Sequence, residues 1–234
     1  MIGEIEMPRR SIPTGPNRGI RYEEHISRLL REKGLAIGAT GGASSNPDVH
    51  IVYKGNTIPL EIKKDLSADF AQIELRWDRS CGFYFSPDCQ NPSYREFLTS
   101  HTEFLQQINN TWTEEPRKFT NRNYTLNDLN SDLDNFHDIK VSINAELIEE
   151  FYTSKNPSVN YMQIGEKGFY YLKENIFSLN ADRLVGEAVL RARVKTRSRS
   201  DLKWGFLVAI KLKRVISSEY DIEEQNGKCF PFCL

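Results

Sequence analysis

Residues 46–64 read Asn46-Pro-Asp-Val-His-Ile-Val-Tyr-Lys-Gly-Asn-Thr-Ile-Pro-Leu-Glu-Ile-Lys-Lys64. The apolar alternation predicts two strands, His50–Tyr53 and Ile58–Lys63, joined by a turn at Lys54-Gly55-Asn56. Successive side chains on a strand point to opposite faces, so Glu61 and Lys63 share one face while Ile62 points into the core. Pairing the strands carries Asp48, thirteen residues before Glu61, next to that glutamate. Two carboxylates and an ammonium then crowd one edge of a small sheet. Oxygen donors of this kind suit Mg²⁺ or Mn²⁺, and a neighbouring lysine can hold a water or the charge that builds on a phosphate. The chemistry that fits is phosphodiester cleavage.

Upstream, Gly19–Gly34 predicts an amphipathic helix over 19–33, with Tyr22, Ile26, Leu29 and Leu30 at core spacing and Gly34 ending it. Glu23 lies beside that stripe, within reach of a cation; His25 reads as a surface residue. Between helix and strand stands the loop Gly41-Gly42-Ala43-Ser44-Ser45.

This order of helix, glycine-serine loop, Pro47-Asp48 strand and Glu61-x-Lys63 strand resembles the PD-(D/E)xK nuclease superfamily. Within it the chain is most similar to archaeal Holliday-junction resolvases and more loosely to type II restriction endonucleases. The resemblance covers roughly residues 18–85. It implies a restriction-endonuclease-like α/β (α+β) core, a central mixed sheet flanked by helices, with a C-terminal α+β extension. It further implies Mg²⁺, replaceable by Mn²⁺, held by Asp48, Glu61 and the carbonyl of Ile62, with Glu23 as a further acid. Lys63 would act on the attacking water, with Ser44 and Gln72 in supporting positions. Products would carry 5′-phosphate ends.

Beyond the core, residues 1–17 read as a flexible arm. Residues 86–140 are polar and rich in asparagine, and read as an insertion with a helix near 94–109. Residues 141–234 read as an α+β region that could complete the same domain, beginning with a helix at 141–152 and followed by a strand pair over 161–172. Further along, Leu190–Lys213 predicts a hairpin with basic residues at every odd position from Arg191 to Arg199. Like charges stacked on one strand face repel unless an anion offsets them, and phosphate backbone is a natural anion. Arg191, Arg193, Lys195, Arg197, Arg199 and Lys203 are therefore the candidate DNA contacts.

The formal net charge of −1 excludes a uniformly basic coat protein. Residues 183–214 nevertheless carry ten Lys or Arg against two acids, and residues 127–150 seven acids against one lysine. A field polarised in this way would orient a polyanion. No apolar run is long enough to span a bilayer. The cysteines, Cys81, Cys89, Cys229 and Cys233, lack the spacing of a zinc site and read as free thiols of an intracellular protein.

These readings converge on a metal-dependent DNA endonuclease, leaning to the restriction type because about 150 residues lie beyond the core, acting as a homodimer because double-strand cleavage needs two sites. A junction resolvase is the alternative. A cap-snatching RNA endonuclease would want a metal-binding histidine, for which His25 is poorly placed. A member of another class, a non-catalytic nucleic-acid-binding protein, would put the function in the basic hairpin.

Overall fold

The computed structural model describes residues 18–37, 47–88, 92–155, 157–198 and 201–233. The 1–17 arm, Ser44, Cys89 and Arg199 lie outside these, and so does most of the glycine-serine loop.

The chain opens with helix α1, Arg18–Glu32, followed by strands β1, Ala36–Ile37, β2, Val49–Tyr53, and β3, Asn56–Lys63. Ile26 and Leu30 of α1 are fully buried, as the core spacing requires. Gly34, at φ 81°, ends the helix in the left-handed conformation that glycine adopts without strain. Strands β2 and β3 pair antiparallel with Val49 opposite Leu60 and Tyr53 opposite Asn56. Lys54 and Gly55 turn between them with φ 49° and 78°, the positive pair that a two-residue hairpin demands.

The rest of this sheet comes from far along the sequence. Strands β7, Tyr161–Ile164, β8, Gly168–Tyr171, and β9, Asp182–Arg183, continue it in the order β1-β2-β3-β7-β8-β9. Strand β7 runs parallel to β3, from Leu60 beside Tyr161 to Lys63 beside Ile164. β3 is thus an interior strand, and the edge position expected for Glu61 is corrected. Pro59 falls just before the stretch that β7 reaches, so its missing N–H removes no bond from that ladder. Gly165 closes the turn out of β7; a Cβ there would stand 2.2 Å from the Lys64 carbonyl.

A second sheet runs β5-β4-β11-β10-β6. It uses β4, Ala71–Asp78, β5, Gly82–Phe85, β6, Ile139–Asn144, β10, Gly186–Ser198, and β11, Lys203–Val215. The predicted helix at 141–152 is half wrong. Ile139, Val141 and Ile143 alternate and pair with β10, and only Glu146–Thr153 is helical, as α6. Residues 86–140 are not an appendage either. They form α2, Pro92–Ser100, α3, Thr102–Thr111, α4, Arg117–Thr120, and α5, Leu126–Asn135. Phe104, Ile108, Trp112, Leu129 and Phe136 from this segment join Phe83, Ile73 and Phe206 of the second sheet in one core. The polar composition hid these well-spaced apolar anchors.

That core also takes in Met162, Ile164 and Tyr170 on one face of the first sheet. A smaller core on its other face holds α1, Val49, Ile51, Leu60, Ile62, Tyr161 and Phe169, closed by Ile222 and Phe232 of the C-terminal segment. Residues 18–85 therefore supply strands to both sheets and are completed by the C-terminal half. Cys81, Cys229 and Cys233 are free and exposed, and among the described residues no helix is long and apolar enough to cross a membrane.

Candidate active site

Asp48 stands just before β2, and its Oδ2 accepts the backbone N–H of Ile62 at 2.8 Å. The register places it beside Glu61, as the hairpin pairing predicts. Glu61 is only 4 % exposed, because β7 and α6 cover its face of the sheet. Lys63 Nζ donates to Glu61 Oε1 at 2.6 Å, and Tyr152 Oη donates to the same oxygen at 3.1 Å. The same hydroxyl proton is shared with the Phe70 carbonyl, which ties the site to the start of β4. Glu61 Oε2 is buried and accepts no hydrogen bond from the described residues; the ammonium of Lys155 lies 3.7 Å away.

Burial and mutual repulsion govern the protons here. Asp48 is pushed up to about 7, first by burial and then by the charge of Glu61, against the opposing pull of Lys63 and the Ile62 amide. Burial also raises Glu23, on α1, whose other influences are Lys63, Glu61 and Glu24. Burial alone would lower Lys63, but Glu61 and Asp48 outweigh it and hold the ammonium above its ordinary value. Lys155 goes the other way, lowered by burial more than Glu61 restores it.

Of the residues expected at the site, Asp48, Glu61, Ile62 and Lys63 are brought together. Glu23 lies within electrostatic reach of Lys63 and Glu61. Gln72 is elsewhere: it sits on β4 and its Oε1 accepts from Lys195 Nζ at 2.9 Å. His25 faces Glu223 at 3.2 Å rather than the carboxylates. Tyr152 and Lys155 were missed, since only the parallel crossover from β3 through α6 to β7 brings them to Glu61. Local spacing holds no trace of that path.

The donor set suits a hard divalent cation: carboxylate oxygens, a strand carbonyl, and one buried carboxylate oxygen with no hydrogen bond from the described residues. Among the described residues no group of three or more His, Cys, Asp and Glu side chains is gathered to hold an ion. A cation would therefore draw on Asp48, Glu61 and the Ile62 carbonyl, completed by solvent.

The basic hairpin forms as expected, β10 against β11, but its charge is largely answered from within. Arg193 pairs with Asp69 at 2.7 Å, Arg191 pairs with Asp138, and Lys213 stands 3.4 Å from Glu187. Arg183 reaches Glu149 at 3.0 Å. Pairing of β6 with β10 lays part of the acidic run along the basic one, so the expected separation of two fields is corrected. At the hairpin tip Lys203 stands 3.8 Å from Asp201, and a pocket of about 320 Å³ is lined by Lys118, Lys195, Lys203 and Trp204, with Glu74 as its acid.

Comparison with protein-family models, curated proteins and solved structures returns no match for this chain.

Proposed function

We propose that the chain is a metal-dependent endodeoxyribonuclease with its active site at Asp48, Glu61 and Lys63. The observation that carries this reading is the juxtaposition of two carboxylates and a lysine on paired strands, Lys63 bonded to Glu61 and Asp48 to the amide between them, with Glu61 Oε2 buried and accepting no hydrogen bond from the described residues. A buried carboxylate oxygen answered by an ammonium at 3.7 Å rather than by a hydrogen bond is costly, and a cation is one way to satisfy it. The order of α1, the Asp48 strand and the Glu61-x-Lys63 strand is the order that the resemblance to PD-(D/E)xK nucleases implies, which supports the same reading.

The residues divide the work as follows. Asp48 is fastened by the Ile62 amide and Glu61 by Tyr152, so both carboxylates are held in place before any ligand arrives. A bound Mg²⁺ would supply charge neutralisation and a more acidic water. Lys63 remains cationic, and its role is to orient the attacking water and to offset negative charge on the phosphate in the transition state. The hairpin tip, with Lys195 and Lys203 beside Lys118 of α4, is the cationic surface for the DNA backbone, which it would position without reading sequence. A homodimer follows if both strands of a duplex are cut.

The test is cleavage in Mg²⁺ of supercoiled plasmid, linear duplex and a four-way junction, with Lys63→Ala as control. Discrete fragments support a restriction-type enzyme, and paired nicks at the junction alone a resolvase. If no substrate is cut by wild type, the nuclease reading fails and a binding protein takes its place.

A further inference from the structure

Lys155 follows α6 and is buried, its side chain 6 % exposed. Beside the ion pair with Glu61, rings hold it as well. Its ammonium lies 4.3 Å from the centroid of Tyr152 and 5.0 Å from that of Phe151, both within cation–π range. The 3.7 Å to Glu61 Oε2 is too long for a hydrogen bond. Lys63, by contrast, closes on the other oxygen of the same carboxylate at 2.6 Å. A lysine recruited only as a structural partner would be expected to close in the same way, leaving no buried oxygen without a hydrogen bond. Here two buried groups of opposite charge face each other across a gap that neither fills.

Resting on the reading of this site as a cation-assisted phosphodiesterase, we infer that Lys155 is a positioning residue that guards Glu61 Oε2. It balances the glutamate's charge while no cation is present and opposes the cation that takes the oxygen. Two lysines face one buried glutamate. With both ammonium groups in place, the site is tuned to bind a divalent cation weakly and to avoid collapse of Glu61 onto Lys63 alone.

The inference predicts an effect that a merely structural lysine would not produce. Removing its charge should tighten the cation while the fold persists. The experiment is Mn²⁺ binding to the full chain by calorimetry and electron paramagnetic resonance, for wild type, Asp48→Ala, Lys155→Met and Lys155→Arg. Lys155→Met should bind Mn²⁺ about tenfold or more tightly, as the loss of a unit charge a few ångströms away implies, and Lys155→Arg should stay near wild type. Unchanged or weaker binding in a cooperatively melting Lys155→Met overturns the inference, even with the wild-type site intact. Should Lys155→Met fail to melt cooperatively, Lys155→Gln is judged by the same criterion. If wild type shows no Mn²⁺ site that Asp48→Ala abolishes, the reading of the site fails first, and the inference with it.

Discussion

Asp48 accepts the amide of Ile62, the residue between Glu61 and Lys63, so one carboxylate pins the strand that carries the other. The contact places two acids side by side, and the fold bears the repulsion. Asp48 holds its proton up to about 7, well above its ordinary value of 3.8. The folded protein therefore binds this proton more tightly than the unfolded chain does. Its contribution to stability is fully present below about 4 and is lost as pH rises through 7. In chelator, the melting temperature should fall from pH 5 to pH 8. Asp48→Asn, which keeps an acceptor for Ile62 but carries no charge, should flatten that slope. An equally steep slope in the variant would assign it to other groups.

Glu61 and Lys63 should be indispensable to cleavage, whereas Lys64 should not. Lys63→Ala and Glu61→Gln are each expected to lower the single-turnover rate by about 100-fold or more, the scale of losing a group that stabilises transition-state charge. Lys64 stands just past the end of β3, with no part in the Glu61–Lys63 contact, and Lys64→Ala should stay within about threefold. A Lys63→Ala enzyme of normal rate would remove that lysine from the mechanism.

Tyr152 bonds a buried carboxylate and a buried carbonyl at once. Tyr152→Phe keeps the ring beneath Lys155 but leaves the Phe70 carbonyl and Glu61 each short of a donor. The cost should be about 1–3 kcal/mol in urea unfolding. A smaller loss would mean that water takes over the hydroxyl's role.

What the sequence disclosed was local. The β2–β3 hairpin, helix α1 and the β10–β11 hairpin each repeat a short-range period, and Asp48, Glu61 and Lys63 follow from strand alternation plus one turn. What it hid was set by pairing at long range. Nothing near Tyr152 or Lys155 announces Glu61, which becomes their neighbour only through the β3–β7 register. The same blindness misjudged the basic hairpin. Like charges on alternate positions do need an anion, but Asp69 and Asp138 already supply it. The helix expected over 141–152 failed because Ile139, Val141 and Ile143 carry a period of two that α6 then interrupts.

The two ends of the hairpin should thus behave differently. Arg193 and Asp69 form a mostly buried pair, their side chains 21 % and 8 % exposed. Arg193→Ala leaves Asp69 among the described residues with Lys211 alone, 3.6 Å away, and should destabilise the fold by about 2 kcal/mol or more. Lys203, 70 % exposed, should cost less than about 0.5 kcal/mol when replaced by alanine. Its loss should instead weaken DNA binding and lower the salt dependence by about one ion. Salt titrations of binding alongside urea unfolding separate the two. Equal effects of both variants on stability would refute the division.

Trp112 decides whether residues 86–140 belong to the main fold. Its ring lies 5.1 Å from that of Phe83 and 5.4 Å from that of Phe206, on strands of the second sheet, and 5.7 Å from Phe136. Its Nε1 donates to the His137 carbonyl at 2.9 Å. Trp112→Ala removes packing from both sides of this contact and strands that carbonyl, so it should cost about 3–5 kcal/mol in the single global transition. Phe119, 41 % exposed on α4, serves as the comparison, and Phe119→Ala should cost clearly less. If the segment were a separately folding insertion, Trp112→Ala would split the transition in two and leave the part reporting on α1 and the β2–β3 hairpin where it was.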